Sequence, residues 1–428
     1  MGTTEQRYDR YPGTRPFDDN EAERKLFFGR DRERDELLHQ ILSTNLLVLY
    51  GKSGLGKTSL LKAGLFPLLR ARDFLPLTVR LHDQNRPPLE LFFQAITARC
   101  EKDNIDYTPG DTSSLWEFFK TVLFLRGQAL QLPVLVIDQF EEIFTLQDDR
   151  RRAAITQQLA DLTSPCLPEK IRAKRRAGEQ LPYSDRPPEV KILLVLREDY
   201  YGLLQELIGP IPTILEQRYW LTAFDERQAR AAIEKPAQVL DPHLFNTNPF
   251  HYEANIVDRM IQFLQGRDGI IEPFQLQILC QDIEQKVRQK QSDGKNEILV
   301  NESYLGDDRS MEMVLQNFYI DSVRNISTKR QHKRIYRMCK EGLLNHQGQR
   351  LSLEESELKR IYKVNSETLE DLLDVRLLRK EPRLDSFYYE ISHDSIARSV
   401  AGIHLRRDKL SSIAYSEQLN STTISVTL

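Results

Sequence analysis

The chain has 428 residues, and 60 basic against 63 acidic side chains leave a formal net charge of −3. That balance withholds the domain-wide basicity expected of a dedicated nucleic-acid binder, and 40% hydrophobic with 29% charged residues excludes a disordered or fibrous chain. At about 150 residues per domain the length predicts about three domains.

The opening residues Met1-Gly2-Thr3-Thr4-Glu5-Gln6 lack the apolar core of a signal peptide and the Ser or Thr of a myristoylation site. No run approaches the about 18 consecutive apolar residues of a membrane span, so a cytoplasmic chain with no membrane partner is expected. Cys100, Cys166, Cys280 and Cys339 form no CxxC pair, which argues against zinc or a disulfide framework and for reduced core thiols.

Short apolar runs at 46–50, 134–137 and 192–196 alternate with helical patterns, which predicts βα units around a parallel sheet. A proline-broken segment at 163–189, with five basic residues between Lys170 and Arg176, reads as a mobile surface loop. From about 225 to 325 the apolar residues recur at helical spacing, as in Ile256, Met260, Ile261 and Leu264, so an all-helical region follows. Residues 326–405 read as helices closing on two strands, 377–380 and 387–391, around a turn at 382–386. Helix, helix, helix, hairpin is the order of a winged helix. The predicted fold is therefore α/β, a parallel sheet with a helical lid and a winged helix. Its divisions are a lead segment 1–28, an α/β domain 29–224, a lid 225–325, a winged helix 326–405 and a tail 406–428.

The chemistry concentrates at Gly51-Lys52-Ser53-Gly54-Leu55-Gly56-Lys57-Thr58, a full GxxxxGK[ST] match between a predicted strand and the helix opened by Ser59. Backbone N–H groups of Gly51, Ser53, Gly54, Gly56 and Ser59 are expected to cradle phosphate oxygens. Lys57 would neutralise the β- and γ-phosphates and Thr58 would ligate Mg²⁺. Residues 134–138 form an apolar strand ending in Asp138, a second metal ligand. Glu142, with Glu141 beside it, is positioned to poise the attacking water. A third strand ends at Arg197, placed either as a γ-phosphate sensor or in an ion pair with Glu198 or Asp199.

Read together, several motifs resemble one family. They are Tyr11-Pro12-Gly13-Thr14-Arg15-Pro16-Phe17, Phe28-Gly29-Arg30 with Glu33, the P-loop, Asp138-Gln139-Phe140-Glu141-Glu142, Leu196-Arg197-Glu198-Asp199, Glu272-Pro273-Phe274-Gln275 and Ile391-Ser392-His393-Asp394. In this order they resemble the STAND class of signal-transduction NTPases, specifically its novel STAND bacterial branch, with an AAA+/NACHT-like core. The resemblance runs over residues 10–405. It implies that Gly29 and Arg30 line the adenine pocket, that Arg197 is the sensor, that Pro273 touches the base and that His393 reaches the diphosphate of ADP.

It also implies a slow P-loop ATPase used as a signalling switch, with ATP or ADP and Mg²⁺ as ligands. Nucleotide exchange would release the winged helix and permit self-assembly, in bacterial defence or stress signalling. Sensor and effector are expected on separate polypeptides or in further sequence. The alternative is an ATP-dependent DNA-binding protein of the initiator or transposition type. The helix 366–374 argues against sequence-specific DNA as a partner, because it turns Glu367, Glu370, Asp371 and Asp374 outward, where phosphates would repel them.

Overall fold

The computed structural model describes residues 7–401 except 84–85, 109, 266–268, 295–297, 327–328, 376, 384–385, 393–395 and 398–399. The chain divides into two compact units, residues 16–239 and residues 1–15 with 240–428.

The first unit runs α1 (Glu21–Leu26), α2 (Asp31–Ser43), β1 (Leu46–Gly51), α3 (Lys57–Ser59), a π-helical stretch (Leu60–Leu65), α4 (Phe66–Arg70), β2 (Phe74–Val79), α5 (Pro88–Asp103), β3 (Asp106–Tyr107), α6 (Leu115–Thr121), β4 (Phe124–Arg126) and β5 (Ala129–Asp138). It continues through α7 (Glu142–Thr145), α8 (Asp149–Thr163), α9 (Glu169–Arg176), β6 (Lys191–Arg197), a 3₁₀ segment (Glu198–Leu207), β7 (Arg218–Trp220) and α10 (Glu226–Gln238).

The parallel strands lie in the order β2-β5-β6-β1-β7, and β3 and β4 extend the sheet antiparallel beside the first residues of β5. Each central strand is apolar on both sides, as a sheet covered on two faces requires. Alternation decides which face each residue serves. Leu46, Val48, Leu135, Ile137, Ile192 and Leu194 pack with Phe92 and Ile96 of α5, Trp116 of α6 and Leu159 of α8. Leu47, Leu49, Val134, Val136, Leu193 and Val195 pack instead with Leu37 and Ile41 of α2 and with Leu60, Leu65 and Leu69 behind the P-loop. The register Gly51↔Arg197 and Asp138↔Val195 brings the three functional strand ends to one edge of the sheet.

The second unit holds β8 (His251–Tyr252), α11 (Ala254–Gln265), α12 (Pro273–Ser292), β9 (Leu299–Val300), α13 (Glu302–Leu305), α14 (Asp308–Ile326) and α15 (Lys329–Arg337). There follow a π-helical turn (Met338–Gly342), β10 (Leu353–Glu354), α16 (Glu355–Glu357), a second π-helical turn (Leu358–Tyr362), α17 (Ser366–Asp374), β11 (Leu378–Arg383) and β12 (Ser386–Ile391). One core joins α12 and α14 to the later helices and hairpin through Phe274, Leu315, Tyr319, Ile335, Leu369 and Tyr389.

Four local expectations change. The segment 163–189 is not an irregular loop: it carries α9, whose Ile171 is buried and whose Lys174 pairs with buried Glu117 at 2.7 Å. The region 225–325 is not wholly helical, because β8 and β9 form a two-residue parallel pair. Pro382 lies inside β11 opposite Phe387 rather than in the turn; β11 is an edge strand of β10-β12-β11, where a missing N–H costs no ladder bond. Cys166 is exposed, while Cys100, Cys280 and Cys339 are buried free thiols.

Candidate functional site

The phosphate loop leaves β1 and turns through Gly54 and Gly56 at φ of 83° and 85°. Gly56 is the residue from which α3 starts, and any side chain there would be strained in this left-handed conformation. A glycine-rich loop running into a helix start is the arrangement whose N–H groups bind phosphate oxygens. Lys57 Nζ donates to the carbonyls of Gly51 at 2.7 Å and Lys52 at 3.0 Å, so the ammonium lies across the loop it would share with phosphate. Gly51 itself backs onto the Leu221 carbonyl, and Ser53 is a half-buried turn residue. Ser59 is buried, and its Oγ accepts the Phe17 N–H at 3.1 Å.

Thr58 Oγ1 donates to Asp138 Oδ2 at 3.1 Å, which brings a hydroxyl and a buried carboxylate together at one point. Two hard oxygen donors side by side fit Mg²⁺, which takes few protein ligands and keeps water and phosphate oxygens for the rest. Arg80 reaches the same carboxylate oxygen at 3.5 Å, a cation already drawn to that position.

After Asp138 the backbone reverses through Gln139, a non-glycine residue at φ 60°, at a cost of about 1 kcal/mol or more. The reversal returns two glutamates to the site, both nearly buried. Glu141 Oε2 accepts the Arg197 N–H at 3.2 Å; burial raises its pKa and nearby Lys57 opposes the rise. Glu142 Oε2 accepts the Leu81 N–H at 2.8 Å, and its other oxygen makes no hydrogen bond among the described residues. Burial, with Glu141 and Asp138 adding repulsion, pushes its pKa up to about 7. The two neighbours are thus separated: Glu141 serves the Lys57 and Arg197 side, Glu142 the Asp138 and Arg80 side.

Arg197 sits in an ion pair with Asp199 at 2.6 Å and lies over the Tyr200 ring at 5.4 Å. Its Nε–H is buried without a partner among the described residues, one donor left unspent. Gly29 packs against the Gln228 carbonyl. Arg30 is buried and binds Glu33 at 2.6 Å, the Thr222 carbonyl at 2.8 Å and the Leu55 carbonyl at 3.3 Å, with Phe224 beneath it at 4.3 Å. That side chain therefore braces the end of the P-loop against the start of α10. Pro273 is the first residue of α12 in the second unit, and His393 lies outside the described residues. Arg80 and the Leu81 N–H were not foreseen; the one signal was a cation following the short apolar run 74–79 at a strand's C-terminal end.

On the outward side of α17, Glu367 and Glu370 are exposed, and Glu370 pairs with Lys380 at 3.2 Å. Among the described residues no helix is long and apolar enough to cross a membrane.

A family model described as nSTAND1, Novel STAND NTPase 1, matches residues 11–401. Among solved structures, the chain is similar to a Walker-type ATPase of Pyrococcus abyssi, with 16% identity, 90% of this chain and 98% of the other covered and a TM-score of 0.43. It is also similar to the Aeropyrum pernix ORC2 protein in ADPNP-ADP complexes, at 13% identity, 89% and 95% coverage and a TM-score of 0.42. The Aeropyrum pernix ORC1 protein in complex with DNA aligns at 12% identity, 88% and 93% coverage and a TM-score of 0.46. No curated protein matches.

Proposed function

The chain belongs to the novel STAND NTPase 1 family, and from that membership we propose that it is a nucleotide-controlled switch in which ATP and ADP favour different conformations and slow hydrolysis resets the state. The observation that carries this is the convergence of Lys57, Thr58, Asp138 and Glu142 on one edge of the sheet, with a pair of oxygens suited to Mg²⁺.

In this reading the loop N–H groups and Lys57 hold the β- and γ-phosphates, Lys57 exchanging the Gly51 and Lys52 carbonyls for phosphate oxygens. Thr58 and Asp138 hold Mg²⁺, which neutralises phosphate charge. Glu142 is the water-poising base, because one oxygen is fixed by Leu81 and the other is open. It accepts a proton as the water oxygen bonds to the γ-phosphorus and the bond to the β,γ-bridging oxygen breaks, leaving ADP and phosphate. Arg197 offers its unspent donor to the γ-phosphate, and Glu141 ties its backbone to the Lys57 side.

Pro273 from the lid and His393 from the winged helix complete the ADP-bound form by family resemblance. A nucleotide shifts an equilibrium only by its difference in affinity between states. Contacts that ADP makes through His393, and ATP through Arg197, supply such a difference. ATP-driven release leads to self-assembly, with a separate sensor or effector protein completing a defence or stress signal.

The direct test is ADP dissociation and mass in a His393→Ala protein. Faster ADP loss and assembly without ATP are expected. Retention of ADP and a monomer as firm as wild type would remove His393 from the mechanism.

A further inference from the structure

Between Asp321 and Glu341 the chain carries seven Lys and Arg residues and no Asp or Glu, a local excess that the overall charge of −3 conceals. Most of that run is α15 and the turn after it, inside the second unit. Helical spacing sorts the residues. Ile335, Met338 and Cys339 are buried in the core that also takes in Leu358, Tyr362 and Leu369. Lys333 and Arg337 are exposed on the other side, with half-buried Arg334 beside them.

A second element widens this face. Arg334 Nη1 donates to the Lys363 carbonyl at 3.0 Å and the Arg337 guanidinium lies over the Tyr362 ring at 5.6 Å, which sets the end of the second π-helical turn alongside α15. That end brings exposed Arg360 and Lys363. The acids nearby answer only part of the charge: Glu341 pairs with Arg337 at 2.8 Å and Glu357 with Arg360 at 3.9 Å, while Lys359 and Glu355 cancel each other at 2.6 Å. Exposed Glu367 stands at the rim, next to Thr368, which Gln331 reaches at 3.3 Å. Lys333, Arg334 and Lys363 have no ion pair among the described residues, so inside that rim five bases against two acids leave a net +3. Exposed pairs of this kind contribute at most about 1 kcal/mol and open readily for another anion.

The surroundings choose among the anions that could meet such a face. A membrane surface would need an apolar helix side to insert, and that of α15 lies in the core. An acidic protein would need an apolar centre to its interface, yet among the described large apolar side chains at 331–364 only Leu351 and Ile361 are exposed. Single strands stack their bases on aromatic rings, whereas Tyr362 is buried beneath Arg337 and half-buried Tyr336 packs on Tyr319 at 5.6 Å. A duplex backbone asks for none of these. Lys333 and Arg337 stand about 6 Å apart along the helix axis, close to two phosphate steps of one strand at about 3.4 Å each.

We propose that α15 and the turn at 360–363 form a binding surface for the phosphate backbone of a nucleic-acid duplex. Phosphate contacts position a duplex without reading its sequence, and α17, with Glu367 and Glu370 exposed, stays out of the groove. The surface needs no ATP or ADP, so it stands or falls apart from the switch reading.

The test is fluorescence anisotropy of the full chain with a labelled DNA duplex of about 20 base pairs and the RNA duplex of the same sequence, without nucleotide and over a series of salt concentrations. Wild type is expected to bind both, with log Kd changing by about 4 to 5 per decade of salt for five phosphate contacts; binding of one alone names the duplex that is the ligand. Lys333→Gln with Arg360→Gln is expected to lower that slope by about 2 and to weaken binding about tenfold or more at about 0.1 M salt, with thermal unfolding near wild type. The conservative pair Lys333→Arg with Arg360→Lys keeps wild-type binding, as does Lys170→Gln with Arg172→Gln on α9. Binding of neither duplex, an unchanged slope in the first pair, or a loss carried by the α9 pair instead overturns the proposal. Equal competition by polyglutamate or by phosphatidylserine vesicles also overturns it, because the face would then serve an acidic protein or a membrane.

Discussion

Glu142→Gln separates the chemistry of the site from its cost to the fold. The carboxyl of Glu142 has its pKa raised by burial from 4.5 to about 7. The unfolded chain therefore releases this proton at lower pH than the native one, and stability is lost as pH rises through that window. With 1.36 kcal/mol per pKa unit, the wild-type penalty grows by about 2 to 3 kcal/mol between pH 5 and pH 8. Glutamine keeps an oxygen for the Leu81 N–H and has no proton to release. The nucleotide-free variant is therefore more stable than wild type at pH 8 by about 3 kcal/mol, and nearly equal to it at pH 5. Both tryptophans, Trp116 and Trp220, lie in the unit that holds Glu142, so intrinsic fluorescence during urea unfolding in EDTA reports the relevant core. The same variant binds ATP and does not turn it over. Wild-type turnover, or a stability that falls with pH as steeply as wild type's, refutes the assignment of Glu142.

Further outcomes follow from individual contacts. Lys57→Ala removes a charge-assisted phosphate contact and weakens ATP binding about 10- to 100-fold by calorimetry; unchanged affinity defeats the P-loop argument. Asp138→Asn raises the Mg²⁺ concentration needed for turnover while leaving Mg²⁺-free ADP binding nearly intact. Asp19→Ala leaves Arg70 and Arg99 with Asp103, at 3.8 and 2.8 Å, as their remaining shared carboxylate, and costs about 2 kcal/mol by urea unfolding at pH 7. Arg70, Arg99 and Arg24 override burial to hold the Asp19 pKa well below 3.8, so its contribution is present above that value and drains away as pH falls below it. Glu117→Ala removes the partner of Lys174 and Tyr183, and trypsin then cuts at 170–176 several times faster; an unchanged rate shows that Ile171 alone holds α9.

Sequence carried the sheet and the phosphate loop because their signals are local. A run such as Leu46 to Tyr50 is apolar on both faces, and the glycines, Lys57 and Thr58 stand within eight residues of one another. The exposure of Glu367 and Glu370 on α17 was equally readable from spacing, whereas Asp371 is half-buried and the Asp374 side chain lies outside the described residues. What sequence could not show lies in partners far apart along the chain. Arg30, which the family resemblance assigns to the adenine pocket, has its guanidinium held by the carbonyls of Leu55 and Thr222, partners that spacing does not show. Glu284 drew no attention in the sequence, although it is buried and accepts the N–H of Arg10, 274 residues earlier. The helix α9 was hidden because prolines on both sides outweighed eight residues whose only deeply buried side chain is Ile171. Glu141 and Glu142 were indistinguishable by spacing; the turn at Gln139 and the Leu81 N–H tell them apart.

The central claim is that the bound nucleotide sets the state of assembly. Native mass measurement of Glu142→Gln, which would hold ATP without hydrolysis, tests it most directly. The account predicts a monomer with one ADP that converts, on exchange for ATP and Mg²⁺, to a larger assembly with ATP in each copy. An unchanged mass with ATP demonstrably bound would contradict it.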